Sequence, residues 1–386
     1  MARDAAPQEA LEAAAQRQQF FARLYGSMPR LRVTPIIVGA NVLVFVLMLF
    51  AGAGMLQPDA SVHLAWGANY GPATKEGGWW RLLASAFLHY GVVHVAFNMW
   101  ALADAGRLVE RLYGSAAFLA LYLFSGLTGS FASLLWSADR VVSVGASGAV
   151  FGVYGALVAF LVAQRGSVPA IVLKGLATSA SIFISYVLVF GALQKGIDNA
   201  AHVGGLLGGI MAGFALSRAL ALGARLSVPR RALAALGAVA LLALLWSIVP
   251  PAHFSYAAQL AAERAINASS ADEAGAMGRA RKVLAARQRG ELGTAQTAAR
   301  LEREVVAPLD AAHRRLAAIE LAEAAPAGRQ LALLTQYTAA KRDLFAAYAQ
   351  GLRSDDEAKL RRADALADES RRLLEELKRL PRRSPD

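Results

Sequence analysis

The chain is 386 residues long, 56% of them hydrophobic, with 40 Lys and Arg against 28 Asp and Glu and a net charge of +12. That apolar content falls in blocks, which excludes an ordinary water-soluble enzyme. There is no cysteine, which excludes a disulfide, a thiolate nucleophile and a Cys-ligated metal.

Residues 1–34 precede the first apolar block. Residues 1–19 carry acids and glutamines, not the basic start and apolar stretch of a secretory signal. Gln8 to Tyr25 reads as a surface helix laying Leu11, Phe20, Phe21, Leu24 and Tyr25 against lipid headgroups, or equally as a solvated helix. Seven apolar runs then follow near 35–54, 90–108, 115–136, 147–164, 176–192, 199–217 and 232–249. Each is close to the roughly 17–25 residues a helix needs to cross a bilayer.

Lys and Arg sort by side. Arg3, Arg17, Arg23, Arg30 and Arg32, then Arg107, Arg111, Arg165 and Lys174, then Arg218, Arg225, Arg230 and Arg231 fall on one side; Lys75, Arg81, Arg140 and Lys195 fall on the other. The basic-rich side is the cytoplasmic one. The N-terminus is therefore expected in the cytoplasm, and seven spans carry the C-terminal tail outside. The basic excess serves this topology. No basic stripe interleaved with aromatics is present, so nucleic acid is not an expected partner.

With this topology the second, fourth and sixth runs all descend from the outer face. His94 and Asn98 lie one and two turns into the second, Ser147 opens the fourth, and His202 lies one turn into the sixth. At 1.5 Å per residue all sit within roughly 10 Å of the outer ends of their helices. Polar side chains in apolar spans are costly, and three helices bringing them to one depth points to a site. A serine hydroxyl becomes a nucleophile when a neutral histidine takes its proton. Gly145 and Gly148 leave room beside Ser147, and the unpaired N–H groups of a helix start suit an oxyanion. His94 and Asn98, at i and i+4, share a helix face and both donate. No acid is evident to orient His202. Asp198 stands one turn earlier but belongs to the outer loop, so a Ser–His dyad is expected. Phe151, one turn after Ser147, either packs on the His202 ring or is plain core. Gly205, Gly209 and Gly213 form a small-residue ridge that lets the sixth helix approach the fourth. His94 and Asn98 lack a further His or carboxylate to complete a zinc site, so no metal is expected. Asp104 is expected to pair with an Arg at the inner face. His63, His253 and His313 are expected to be surface histidines.

After Pro250-Pro251 the composition turns to Ala, Arg, Glu and Leu, and no run is long enough to span. Leu301, Val305, Leu309, Ala312, Leu316 and Ile319 recur at helical spacing, as do Leu334, Tyr337, Leu344 and Tyr348, and then Leu360, Leu366, Leu373, Leu377 and Leu380. This predicts an antiparallel helical hairpin or small bundle, either simply solvated or a docking module for substrates or partners.

Gly145-Ala146-Ser147-Gly148, Ala201-His202 with Gly205, His89…His94…Asn98, Trp80-Arg81, and Gly106 to Glu110 with Arg111 together resemble the rhomboid family of intramembrane serine proteases, over about residues 35–217. The resemblance implies a six-helix core, Ser147 as nucleophile, His202 as base, and an oxyanion hole from His94, Asn98 and the Ser147 N–H. It implies that His89 orders a loop and that Trp80-Arg81 anchors a loop lying partly in the membrane. Phe151 departs from the tyrosine many relatives carry there, and the seventh span is an addition to the core.

The expected molecule is thus an all-α membrane protein. Residues 1–34 form a cytoplasmic segment, 35–217 a six-helix core, 218–250 a basic loop and seventh transmembrane helix, and 251–386 an extracytoplasmic soluble helical tail. Its expected activity is serine endopeptidase cleavage in or near transmembrane segments of other proteins, without a cofactor, in a bilayer that is expected to be a bacterial inner membrane. Access for substrate is expected beside the fifth span, at Phe183, Tyr186 and Phe190. The alternatives are a catalytically silent relative that binds membrane clients, and a transporter, which would carry its polar groups at mid-depth.

Overall fold

A computed structural model of the chain describes residues 2–56, 59–137, 139–194, 196–217 and 227–380, with side chains from residue 9 onward except that of residue 10. Lys195, Arg218 and Arg225, on which the charge count partly rests, lie outside the described residues. The described chain is helical. Its one β-feature is an isolated antiparallel bridge between Asn69 and Ser143. It divides between Ala252 and His253 into two compact units.

The first unit opens with α1 (Ala2–Ser27) and α2 (Val33–Phe50). A loop region follows, holding the short helices α3 (Ala60–Trp66), α4 (Gly71–Lys75) and α5 (Arg81–Ala84) and a single 3₁₀ turn, Ser85–Phe87. Then come α6 (Gly91–Tyr113), α7 (Ser115–Ser137), α8 (Ser147–Ala163), α9 (Ala170–Leu193), α10 (Asn199–Leu216) and α11 (Val228–Ile248). Every predicted apolar run has its helix. Five of these helices are long and apolar enough to cross a membrane, and a sixth if α6 is joined to Arg81–Phe87, from which it bends by 93°. The exception is α8, with 17 residues.

One feature differs from expectation at the N-terminal end. Phe20 and Leu24 of α1 are buried in the hydrophobic core of the unit, so the end of α1 docks on protein instead of laying that face on headgroups. Only Leu11 and Tyr25 of the five stay exposed, and the Arg111 guanidinium sits over the Tyr25 ring. The start of α2 is capped from a distance. The buried Glu110 carboxylate accepts from the backbone N–H groups of Arg32, Val33 and Thr34 and from the hydroxyls of Thr34 and Ser115. Those N–H groups have no partner within α2, and the carboxylate also meets the positive end of the helix dipole. Asp104 is exposed and makes no ion pair among the described residues, contrary to the expected inner-face pairing.

The three site-bearing helices are held by backbone proximity. A Cβ on Gly205 would stand 2.0 Å from the Gly148 carbonyl oxygen, and one on Gly209 2.0 Å from that of Gly152. Only glycine permits α10 to lie that close to α8. At the far end the Tyr113 hydroxyl of α6 donates to the carbonyls of Ala156 in α8 and Gly213 in α10. The result encloses α8, which buries 13 of its 17 residues. By contrast α9 buries four of 24.

The second unit comprises α12 (Tyr256–Gln288), α13 (Thr294–Leu301), a π-helical turn Glu302–Val306, α14 (Ala307–Ala317), α15 (Gly328–Ser354) and α16 (Glu357–Arg379). The predicted stripe Leu301, Val305, Leu309, Ala312 and Leu316 is its core, each residue at most 2% exposed. Pro308 has no N–H to give the Glu304 carbonyl one turn back. The Arg279 side chain of α12 donates to that carbonyl instead, at 2.6 Å. Tyr337 donates to Glu273, and burial together with that carboxylate holds its phenol well above the usual range. Among its described residues this unit exposes no large hydrophobic side chain.

Candidate active site

Ser147 is the first residue of α8, where the chain leaves a loop. The loop is fixed on both sides. The Gly145 N–H donates to the Ser85 carbonyl at 2.9 Å, and Asn69 and Ser143 exchange backbone hydrogen bonds of 2.8 and 3.0 Å. Gly145 has φ +126, a conformation that L side chains rarely adopt, and a Cβ there would stand 2.8 Å from the His94 ring and 3.7 Å from Ser147 Oγ. Ser147 is half-buried and its N–H, like those of the residues after it, opens a helix.

His202 is buried one turn into α10. Its Nε2 lies 2.9 Å from Ser147 Oγ. Phe151 stacks on its ring, centroids 4.5 Å apart and planes 4° from parallel, which fixes the plane in which the imidazole points.

His94 and Asn98, on α6, face the same cavity as Ser147 and His202, which has a volume of about 550 Å³. The Tyr90 N–H donates to His94 Nδ1 at 3.2 Å, which leaves Nε2 as the protonated donor. Asn98 Nδ2 donates to the His94 carbonyl at 2.9 Å. His89 is buried beside them. Its Nε2 accepts from the Ala146 N–H at 3.4 Å, next to Ser147, and its ring meets that of His94 edge-on.

Trp80 and Arg81 stand apart from the cavity. Arg81 donates to the carbonyls of Leu64 and Ala68, at 2.6 and 3.2 Å, and lies over the Trp80 ring. They tie two stretches of the loop region together.

Two expectations are corrected here. His63 is not a surface residue: it is fully buried, with Nδ1 2.8 Å from the Asp59 carbonyl, Nε2 3.0 Å from the His89 carbonyl and its ring against Tyr90. His313 is half-buried, Nδ1 3.2 Å from the Thr335 carbonyl. Asp198 is the N-cap of α10, accepting from the Ala201 N–H at 3.0 Å. The group that meets His202 Nδ1 is Asn199 Oδ1, at 3.1 Å. Sequence reasoning passed over Asn199, because an asparagine at a helix start reads as a cap. On α9, Phe183 stacks on Tyr154 at 4.0 Å and lies near Phe151 and Phe97, while Tyr186 and Phe190 are exposed on the cavity wall. No group of three or more His, Cys, Asp or Glu that could hold a metal occurs among the described residues.

A family model described as Rhomboid domain matches residues 76–219. The chain is 39% identical over 195 residues to "Rhomboid protease GluP" of Bacillus subtilis (strain 168), covering 50% of this chain and 37% of that protein. It is 33% identical over 210 residues to "RHOMBOID-like protein 7" of Arabidopsis thaliana, covering 48% of this chain and 66% of that one. It is 33% identical over 150 residues to "Putative rhomboid protease YdcA" of Bacillus subtilis, covering 38% of this chain and 71% of that one. The chain thus spans about a third to two thirds of the length of the first two.

Proposed function

The chain belongs to the rhomboid family, and on that premise we propose that it is an intramembrane serine endopeptidase whose dyad is Ser147 and His202. The observation that carries the reading is the 2.9 Å contact between Ser147 Oγ and His202 Nε2 on a cavity that also holds His94 and Asn98. As His202 Nε2 takes its proton, Ser147 Oγ attacks a peptide carbonyl. The carbonyl oxygen becomes an oxyanion, met by the Ser147 N–H, the Nε2–H of His94 and the amide of Asn98. Asn98 turns from its own helix carbonyl to do so. The imidazolium then gives its proton to the departing amide nitrogen and the peptide bond breaks. Water, deprotonated by His202, attacks the acyl-enzyme and frees the acid. His89 orders the loop before Ser147, and Trp80-Arg81 anchors the outer loop region. No cofactor takes part.

The substrates are membrane proteins cleaved in or near a transmembrane segment. A helical backbone hides its carbonyls, so the substrate must unwind locally, and Gly, Pro or polar residues near the outer end of its span favour this. Admission is beside α9, the least enclosed of the core helices, past Tyr186 and Phe190. The core has six spans, with α11 as a seventh after a basic loop. The N-terminus is cytoplasmic and the helical tail extracytoplasmic, and the membrane is a bacterial inner membrane. The tail is either a solvated helical bundle or a docking module for substrates or partners; among its described residues no large apolar side chain is exposed, so docking there would be polar.

The test compares wild type with Ser147→Ala on a single-span reporter protein in the same membranes. Cleavage by wild type and none by the variant is expected. Equal cleavage by both ends the reading.

A further inference from the structure

A neutral histidine serves as base towards Ser147 only in one tautomer, with the proton on Nδ1 and the lone pair on Nε2. Something must select it. The stacked Phe151 ring orients the imidazole plane but does not distinguish its nitrogens. The selecting group stands at Nδ1, and its own orientation is decided by a third element. Asn199 Oδ1 lies 3.1 Å from His202 Nδ1, and Asn199 Nδ2 lies 3.0 Å from the backbone carbonyl of Leu188 in α9. A backbone carbonyl only accepts, so it takes the NH₂ end of the amide. The oxygen end is then turned to His202, and an acceptor there demands a proton on Nδ1. Room for this arrangement comes from Gly191, also in α9, where a Cβ would stand 2.3 Å from Asn199 Oδ1.

We infer that Asn199 is the positioning residue of the catalytic base, and that α9, through the Leu188 carbonyl and the vacancy at Gly191, sets the tautomer in which His202 faces Ser147. The inference rests on the protease reading for its purpose, but the geometry concerns only His202, Asn199 and α9. It also makes the base dependent on where α9 stands. A displacement of the last turns of α9 removes the Leu188 carbonyl, frees the amide to turn, and lets the imidazole take its proton on Nε2, where it no longer accepts from the serine.

Two measurements on the full chain in detergent test this. The first is the imidazole ¹⁵N spectrum in mildly alkaline buffer, with the His202 signals assigned by their loss in His202→Ala. The expected result is Nδ1–H in wild type, a mixture of tautomers in Asn199→Ala and in Gly191→Ala, and Nδ1–H restored in Asn199→Asp, which keeps an acceptor in place. The second is the rate at which a small fluorophosphonate labels Ser147. Asn199→Ala and Gly191→Ala are each expected to slow it about tenfold, the worth of one buried hydrogen bond. The double variant should be no slower than Asn199→Ala, because Gly191→Ala acts through the same amide. An unchanged His202 tautomer in Asn199→Ala overturns the inference, as does labelling of that variant at the wild-type rate. Absence of labelling in wild type counts against the protease reading instead, and the ¹⁵N spectra still decide the role of Asn199. Should Asn199→Ala fail to fold, Gly191→Ala against Asn199→Asp carries the same comparison.

Discussion

At residue 145 a side chain of any size would crowd the His94 ring and stand 3.7 Å from Ser147 Oγ. The glycine there has φ +126 and faces the His94 ring, so its replacement strains the backbone and displaces a cavity wall together. Gly145→Ala is expected to lower fluorophosphonate labelling of Ser147 roughly tenfold or more, from a strain of about 1–3 kcal/mol placed beside Ser147. Labelling at the wild-type rate would show that the loop tolerates the methyl. Ser147, His202, His94 and Asn98 were legible from the sequence because each is a polar residue set in an apolar run, where it stands out. Asn199 and His63 were not. Asn199 sits where a capping residue is ordinary, and its second partner is a backbone carbonyl, which no side-chain pattern reveals. His63 lies in a loop region with no periodicity to mark an inside, and its partners, the Asp59 and His89 carbonyls and the Tyr90 ring, are backbone groups and a tertiary contact that no side-chain pattern reveals.

Between elements, the close approach of α8 and α10 decides whether Ser147 and His202 meet. It was legible as a glycine ridge at four-residue spacing, although such ridges are common and only the opposing carbonyls of Gly148 and Gly152 give this one its function. Gly209→Ala should force the pair apart. The thermal midpoint of the membrane unit is expected to fall, by the equivalent of about 1–3 kcal/mol, and labelling of Ser147 to fall with it. Gly237→Ala in α11 is the control, since nothing lies within 4 Å of a Cβ there; a loss of equal size in both would remove the helix contact as its cause. Hydropathy also located all seven apolar helices. It did not reveal the docking of Phe20 and Leu24, because a short amphipathic segment presents the same face to a protein groove and to headgroups. Nor did it reveal the 93° turn before α6, at whose start Gly91 takes φ +79.

For the whole chain the question is which side of the membrane each end occupies. The lack of cysteine makes this directly measurable, since one introduced thiol is the only one present. Arg17→Cys and Arg361→Cys both place it at an exposed position. In intact cells a membrane-impermeant maleimide is expected to label position 361 and to reach position 17 only after permeabilisation. Labelling of both from outside would mean an even number of crossings, and labelling of 17 alone an inverted chain. The helix that bears Ser147 is shielded from lipid almost throughout. At 1.5 Å per residue it is about 26 Å long, short of a hydrocarbon layer of about 30 Å. A lipid-facing helix of that length would suffer hydrophobic mismatch and answer it by tilting or thinning the bilayer. Enclosed as it is, α8 leaves that adjustment to the longer helices around it. The height of Ser147 is therefore set by protein packing, while membrane thickness acts on the rim.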